Sequence, residues 1–312
     1  MEQGTGKERE ACFDQAAALL PGELGVAALR LPERTRERAE ELRLRVGQPM
    51  EVLLPEGEQP VPGGPAEVTA GMLEQVLEVA TQASVHTALE QVRAGYFTVR
   101  GGHRIGLCGT AVLREGKIHT LRQLSSLSIR IAHSVPGVGR TLLPALRTAC
   151  GIRDTLILSP PGGGKTTLLR DLICGLSDGV AGPALRVGVA DERGEVAALW
   201  EGRPQLAVGR HTDVLESCPK AEGLMSLLRG MNPQVLAADE ITSPRDIDAL
   251  TQASHCGVGL LATAHAAGAE DLGRRPLYRA LLEAGIFRQV IEITRKDGVR
   301  RCRVRALEGC PW

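Results

Sequence analysis

The sequence predicts an α/β protein whose C-terminal half is a P-loop ATPase domain on a parallel-rich sheet, preceded by a smaller α/β domain. Three observations predict it. After residue 150, short apolar runs alternate with helical patterns. The first of those runs, Thr155–Leu158, leads directly into a glycine-rich loop that ends in Gly164-Lys165-Thr166. The half before it has a different grammar, helical stretches followed by a β-rich one.

In chain order, residues 15–30 carry Ala and Leu at helical spacing, and Glu33 to Arg45 reads as a charged helix running into Val46-Gly47-Gln48-Pro49. The Pro- and Gly-rich stretch Pro55–Pro65 is a loop, and Val68–Arg93 is helical by pattern. Strands are expected over Tyr96–Arg100, Arg104–Leu113, Ile118–Leu121 and Leu127–Ala132, with Gly101-Gly102 and Glu115-Gly116 at turns. The expected boundaries are an N-terminal domain over 1–135, a linker over 136–148 around Pro136-Gly137-Val138-Gly139, and the ATPase domain over 149–312. Within the latter, Thr155–Leu158, Leu185–Ala190, Val235–Ala238 and Gly259–Thr263 are the candidate strands. Gln289–Thr294 and Arg300–Arg305 flank Lys296-Asp297-Gly298 as a terminal hairpin.

Composition narrows the function classes. The chain has 312 residues, 37 basic and 37 acidic, for a formal net charge of +0. That balance offers no electrostatic footprint for nucleic acid or anionic lipid. Aromatic content of 2% leaves few platforms for base stacking. The eight cysteines have no metal or redox spacing, and most read as buried small hydrophobes in a reducing cytosol. The charged start MEQGTGKERE does not read as a signal peptide, and no apolar run is long enough to span a bilayer. The expectation is a cytoplasmic protein that reaches a membrane only through a protein partner.

The chemistry is expected at the carboxyl ends of the parallel strands. Ser159-Pro160-Pro161-Gly162-Gly163-Gly164-Lys165-Thr166-Thr167 has the strand–loop–helix context of a Walker A motif, with Ser159 where the pattern has Gly. Its amides and the helix N-terminus would cradle phosphates. Lys165 would reach the β- and γ-phosphates, and Thr166 would ligate Mg²⁺. Val235–Ala238 runs into Asp239-Glu240, a Walker B pattern in which Asp239 holds the Mg²⁺ shell and Glu240 orients the attacking water. The acidic box Asp191-Glu192-Arg193-Gly194-Glu195 adds Glu192 and Glu195 as candidates for holding metal or water. His265, after Gly259–Ala264, would sense the γ-phosphate. Two strands are expected between the P-loop strand and the far neighbour of the Asp239 strand. This insertion, with a Glu after the Asp, favours the catalytic-glutamate ATPases over small-molecule kinases. Charge building on the γ-phosphate also calls for an arginine from another domain or subunit, with Arg130 and then Arg104 as candidates.

The order of these four boxes resembles the type II/type IV secretion ATPase superfamily. Val208–Leu215, Cys218–Gly223, and Leu228–Pro233 leading into Asp239-Glu240-Ile241 are similar to its stage III sporulation AA family. So are Gly95–Thr98 and Gly101–Gly109, while Ser128–Ile131 resembles the strand before the interdomain linker of secretion ATPases. The resemblance spans about residues 30–300. It implies a RecA-like motor, a homo-oligomeric ring, a hexamer, with ATP and Mg²⁺ as ligands, and docking on membrane proteins of a sporulation channel complex between mother cell and forespore. Two other readings stay open. One is a nucleic-acid translocase on the same core, which the neutral charge disfavours. The other is a nucleotide-dependent scaffold without turnover, which Lys165 and Glu240 together disfavour.

Overall fold

The computed structural model describes residues 2–81, 95–133, 135–296 and 299–307. The chain divides into two units, Met1–Ser134 with Ala198–Gln205, and Val135–Ala197 with Leu206–Trp312.

The first unit contains α1 (Glu2–Ala17), α2 (Gly22–Leu29), α3 (Glu33–Arg38), β1 (Glu41–Arg45), β2 (Glu51–Leu54), β3 (Gly57–Pro60), α4 (Ala70–Thr81), β4 (Tyr96–Thr98), β5 (Arg104–Arg114) and β6 (Lys117–Arg130). Its strands form a six-stranded sheet in the order β3-β2-β1-β6-β5-β4, every pairing antiparallel. Phe13, Leu24, Leu42, Leu44, Met50, Leu73, Ile105 and Ile129 are buried at its centre. Three expectations are corrected here. The helix expected over 15–30 is two helices, because Pro21-Gly22 interrupts it. The helix expected over Glu33–Arg45 stops at Arg38. Beyond it, Leu42 and Leu44 point inward while Arg43 and Arg45 stay half-exposed, a period of two that the dense charge hides. The strands expected over Ile118–Leu121 and Leu127–Ala132 are one strand, β6, paired with β5 across register shifts near Gly109. The helix expected over Val68–Arg93 is seen as Ala70–Thr81, and its remainder, from 82, lies outside the described residues.

The second unit contains α5 (Leu143–Leu146), β7 (Thr155–Ser159), α6 (Lys165–Ser177), β8 (Val187–Asp191), β11 (Thr212–Glu216), α7 (Lys220–Gly230), β12 (Val235–Ala238), α8 (Pro244–His255), β13 (Gly259–His265), α9 (Ala269–Leu272), α10 (Pro276–Glu283), β14 (Gln289–Lys296) and β15 (Val299–Ala306). Between β8 and β11, the short pair β9 (Leu199–Trp200) and β10 (Arg203–Pro204) belongs to the first unit, where Gly101 N–H donates to Gln205 Oε1 at 3.0 Å. The seven-stranded sheet runs β11-β8-β12-β13-β7-β14-β15. All of its pairings are parallel except the terminal hairpin β14–β15. β7, β8 and β12 are buried along their whole length, as helices covering both faces of a parallel sheet require. β13 and β12 lie between β7 and β8, the inserted-strand order expected from the sequence.

The segment 136–148, expected as a linker, is bound into the second unit. Gly137 and Gly139 N–H groups donate to the two carboxylate oxygens of Asp171 on α6, at 2.6 and 2.7 Å. Leu143 and Leu146 are buried. The cysteines also differ from expectation. The seven described are free thiols, and Cys108, Cys150, Cys256 and Cys302 are exposed, their strand, turn and loop positions facing outward. Among the described residues no helix is long and apolar enough to cross a membrane.

The first unit buries one histidine, His103, and half-buries another, His133. His103 is 0% exposed, and its Nδ1 accepts from Ala132 N–H at 3.1 Å, so that nitrogen carries no proton. Burial, with the neighbouring His133, depresses the His103 pKa from 6.5 to about 4. The unfolded chain therefore takes up a proton that the folded chain refuses. Stability is fully present above pH 6.5 and falls as pH drops from 6.5 towards 4. His103→Gln should show a shallower loss of melting temperature between pH 7 and pH 4.5 than the unsubstituted chain. Parallel slopes in calorimetry would refute the assignment.

Candidate active site

Of the residues singled out by the sequence, all but Arg130 and Arg104 lie in the second unit, at or just beyond the carboxyl ends of β7, β8, β12 and β13. The glycine loop takes its shape from its neighbours. Ser159 is fully buried and its Oγ donates to Pro160 O at 2.9 Å. A Cβ on Gly163 would lie 2.6 Å from that Oγ, so only glycine fits over the serine. Gly164 is the N-cap of α6 at φ +94°, a backbone that leaves the first amides of the helix open. Lys165 follows, 6% exposed, so its ammonium needs an anion.

Glu240 supplies that anion. Lys165 Nζ donates to Glu240 Oε1 at 2.7 Å, and His265 Nε2 contacts the same oxygen at 2.6 Å. The same Nε2 lies 3.0 Å from Lys165 Nζ, so the imidazole tautomer decides whether it donates to Glu240 or accepts from Lys165. Arg193 Nη1 donates to the other oxygen, Oε2, at 2.8 Å. Burial works against ionisation of Glu240, but Lys165, His265 and Arg193 prevail and hold its pKa at about 2. The backbone of Glu240 is left-handed at φ +53°, uncommon for a non-glycine residue. It is fixed from both sides: its N–H donates to Thr263 Oγ1 at 2.8 Å, and its carbonyl accepts from Lys220 Nζ at 2.6 Å.

Asp239 is held by two hydroxyls. Thr166 Oγ1 donates to Oδ2 at 2.7 Å and Thr263 Oγ1 to Oδ1 at 2.6 Å. Burial raises its pKa, while these two donors pull the other way. The adjacent oxygens of Thr166 and Asp239 are hard donors of the kind Mg²⁺ uses when phosphate and water complete its shell. Among the described residues no cluster of three or more His, Cys, Asp and Glu could hold a metal.

The acidic box divides into different roles. Asp191 is 1% exposed and accepts the N–H groups of Glu195, Val196 and Ala197 at 2.9, 3.0 and 2.9 Å, which makes it a brace for the loop. Arg170 of α6 reaches the same loop, donating to the carbonyls of Val196 and Glu195 at 2.7 and 2.6 Å. Glu192 pairs with Lys220 at 3.0 Å. A cavity of about 10 Å³ lies between the box and Asp239, Glu240, Lys220 and Thr242, room for roughly one water. Arg130 sits in the first unit at the end of β6, 3.4 Å from Glu41, and Arg104 there stacks on the Tyr96 ring.

Sequence reasoning missed Thr263, Lys220 and Arg193 as site residues. Thr263 sits two residues before His265 on the same strand, and β-alternation points both to one side, a signal that was available. Lys220 opens α7, far in sequence from every group it touches, and carried no local signal.

A seven-stranded parallel-rich sheet with this loop and these strand ends defines an ATPase-type RecA-like fold. Solved structures agree: the Legionella pneumophila ATPase DotB aligns at TM-score 0.57 and 16% identity over 87% of this chain and 78% of its own. The pilus retraction motor PilT with bound ADP aligns at 0.59 and 17% over 86% and 79%. The family model described as sporulation stage III, protein AA, matches residues 20–306, and the chain belongs to that family. Stage III sporulation protein AA of Bacillus subtilis (strain 168) is 39% identical over 287 residues, 92% of each chain.

Lys220 is 3% exposed, and removing its ammonium leaves the Glu240 carbonyl without its donor. Lys220→Met should lower stability by about 2 kcal/mol and the melting temperature by about 4–8 °C. A melting curve within 1 °C of the parent would show that the ammonium holds nothing in place.

Proposed function

We propose that the second unit binds Mg-ATP and hydrolyses it, and that turnover powers or gates a sporulation-specific, secretion-like channel between mother cell and forespore. The observation that carries the reading is the meeting of Lys165, Thr166, Asp239, Glu240 and His265 around one glycine loop. In this proposal the loop from Ser159 to Thr167 holds the phosphates, and Lys165 gives up Glu240 for a phosphate oxygen. Thr166 and Asp239 hold Mg²⁺, which would neutralise phosphate charge. Glu240, released from Lys165, orients the water that attacks, with Glu192 and Glu195 alongside. His265 reports the terminal phosphate. Arg193, already on Glu240, is the nearest cation on the acidic box for the same charge, beside the expected Arg130 from another domain or subunit. The relatives' family supports a homo-oligomeric ring, a hexamer in this reading, recruited to the membrane by channel proteins.

Titration with a fluorescent ATP analogue tests binding: Lys165→Ala should weaken it at least about tenfold. Glu240→Gln should still bind, while single-turnover hydrolysis falls by about 10²–10⁴-fold. Unchanged turnover in that variant would move the water-orienting role to another carboxylate. Channel docking predicts that the protein floats with liposomes carrying candidate channel proteins and not with bare anionic liposomes. Binding to bare liposomes would replace partner docking with direct lipid attachment.

A further inference from the structure

The terminal hairpin brings an arginine to the glycine loop from a part of the chain the loop motif does not include. In the β14–β15 register Arg295 lies opposite Arg300, so both project from one face of the hairpin. Alternation places Ile291 and Ile293 on that same face of β14, and both are buried against the unit's interior. β14 is buried on both faces at this end, with Val290 on the opposite face 0% exposed, so the place of Arg300 is read from its distances to the loop. Arg300 ends against the loop: a Cβ on Gly164 would meet its Nη1 at 3.0 Å, its Cζ at 3.1 Å and its Nε at 3.4 Å. Three guanidinium atoms at nearly one distance mean that the planar group lies flat over the glycine. Gly164 leaves room for it by having no side chain.

This is an unfavourable place for a cation on its own. Gly164 is the N-cap of α6, the positive end of that helix, and Lys165 is the next residue. Among the described residues no carboxylate pairs with Arg300, whereas Lys165 has Glu240. Arg300 is exposed, so its side chain was free to extend into water instead. A guanidinium stacked over a helix N-terminus beside a lysine makes a fork suited to a polyanion, since its donors match phosphate oxygens in pairs.

We infer that Arg300 is a nucleotide-contacting residue, which grips the polyphosphate chain held by the loop from Ser159 to Thr167. The inference rests on the proposed nucleotide site and adds a cation supplied by the chain's own second unit. Its partner is the phosphate chain and not the base, because the group lies over the amide-bearing turn of the loop. Affinity should therefore grow with the number of phosphates, and the growth should depend on Arg300.

The test measures dissociation constants of the full chain for ATP, ADP, AMP and inorganic tripolyphosphate. Arg300→Ala, Arg300→Lys and, as a control from the opposite face of β15, Arg301→Ala are compared with the parent. Arg300→Ala should weaken ATP and tripolyphosphate by about 10- to 100-fold and AMP much less, with an unchanged melting temperature. Arg300→Lys should recover part of the loss, and Arg301→Ala should bind as the parent does. Equal losses for ATP and AMP with tripolyphosphate unaffected would place Arg300 on the base and overturn the assignment. Parent-like ATP binding by Arg300→Ala, or an equal loss in Arg301→Ala, would overturn it as well. A parent chain that binds neither ATP nor tripolyphosphate would remove the nucleotide site itself, and Arg300 with it.

Discussion

A buried charge must have a partner, and the end of the parallel sheet is organised by that requirement. Lys165 has only 8% of its side chain in water and is neutralised by Glu240 from a different strand. Asp239 is satisfied by hydroxyls from α6 and β13, Asp191 by three amides of its own loop, and Lys220 by Glu192 and the carbonyl of Glu240. Apart from that of Asp191, each pairing crosses between elements, so the polar junction ties the glycine loop, β12, β13, the acidic box and the start of α7 together. Removing one member leaves another unpaired in low dielectric, where the penalty is far greater than on the surface.

Glu240 is where these restraints meet. A left-handed backbone at a glutamate persists only when the surroundings over-determine it. Here the amide, the carbonyl and both carboxylate oxygens are all taken. Such a residue can change its carboxylate partner without losing its backbone position. That combination suits a group that must hold a lysine in one circumstance and a water in another.

The architecture and the loop were legible in the sequence because both depend on local pattern. The run Thr155–Leu158 followed by Gly-Lys-Thr announces strand, turn and helix in consecutive residues, and Val235–Ala238 announces a buried strand ending in acid. What was hidden depended on distance or on masking by charge. β1 alternates correctly, but Glu41, Arg43 and Arg45 make it look helical. β11 was not expected as a strand because it is a half-exposed edge with polar residues. Lys220 reaches Glu240 across 20 residues, and Arg300 reaches Gly164 across the whole second unit, pairings that only the sheet order creates.

The same hairpin has a consequence for how copies of the chain can meet. β15 closes the sheet, and its outer side carries no further strand among the described residues. Open edges invite another strand to add on, and proteins discourage this with charge. Along β15 the sequence Arg300-Arg301-Cys302-Arg303-Val304-Arg305 would set arginine against arginine if a second copy approached with the same edge. Pairing of two β15 edges is thus self-repelling here. The strand that carries Arg300 is, by its composition, also a guard against edge-to-edge pairing with its own copy.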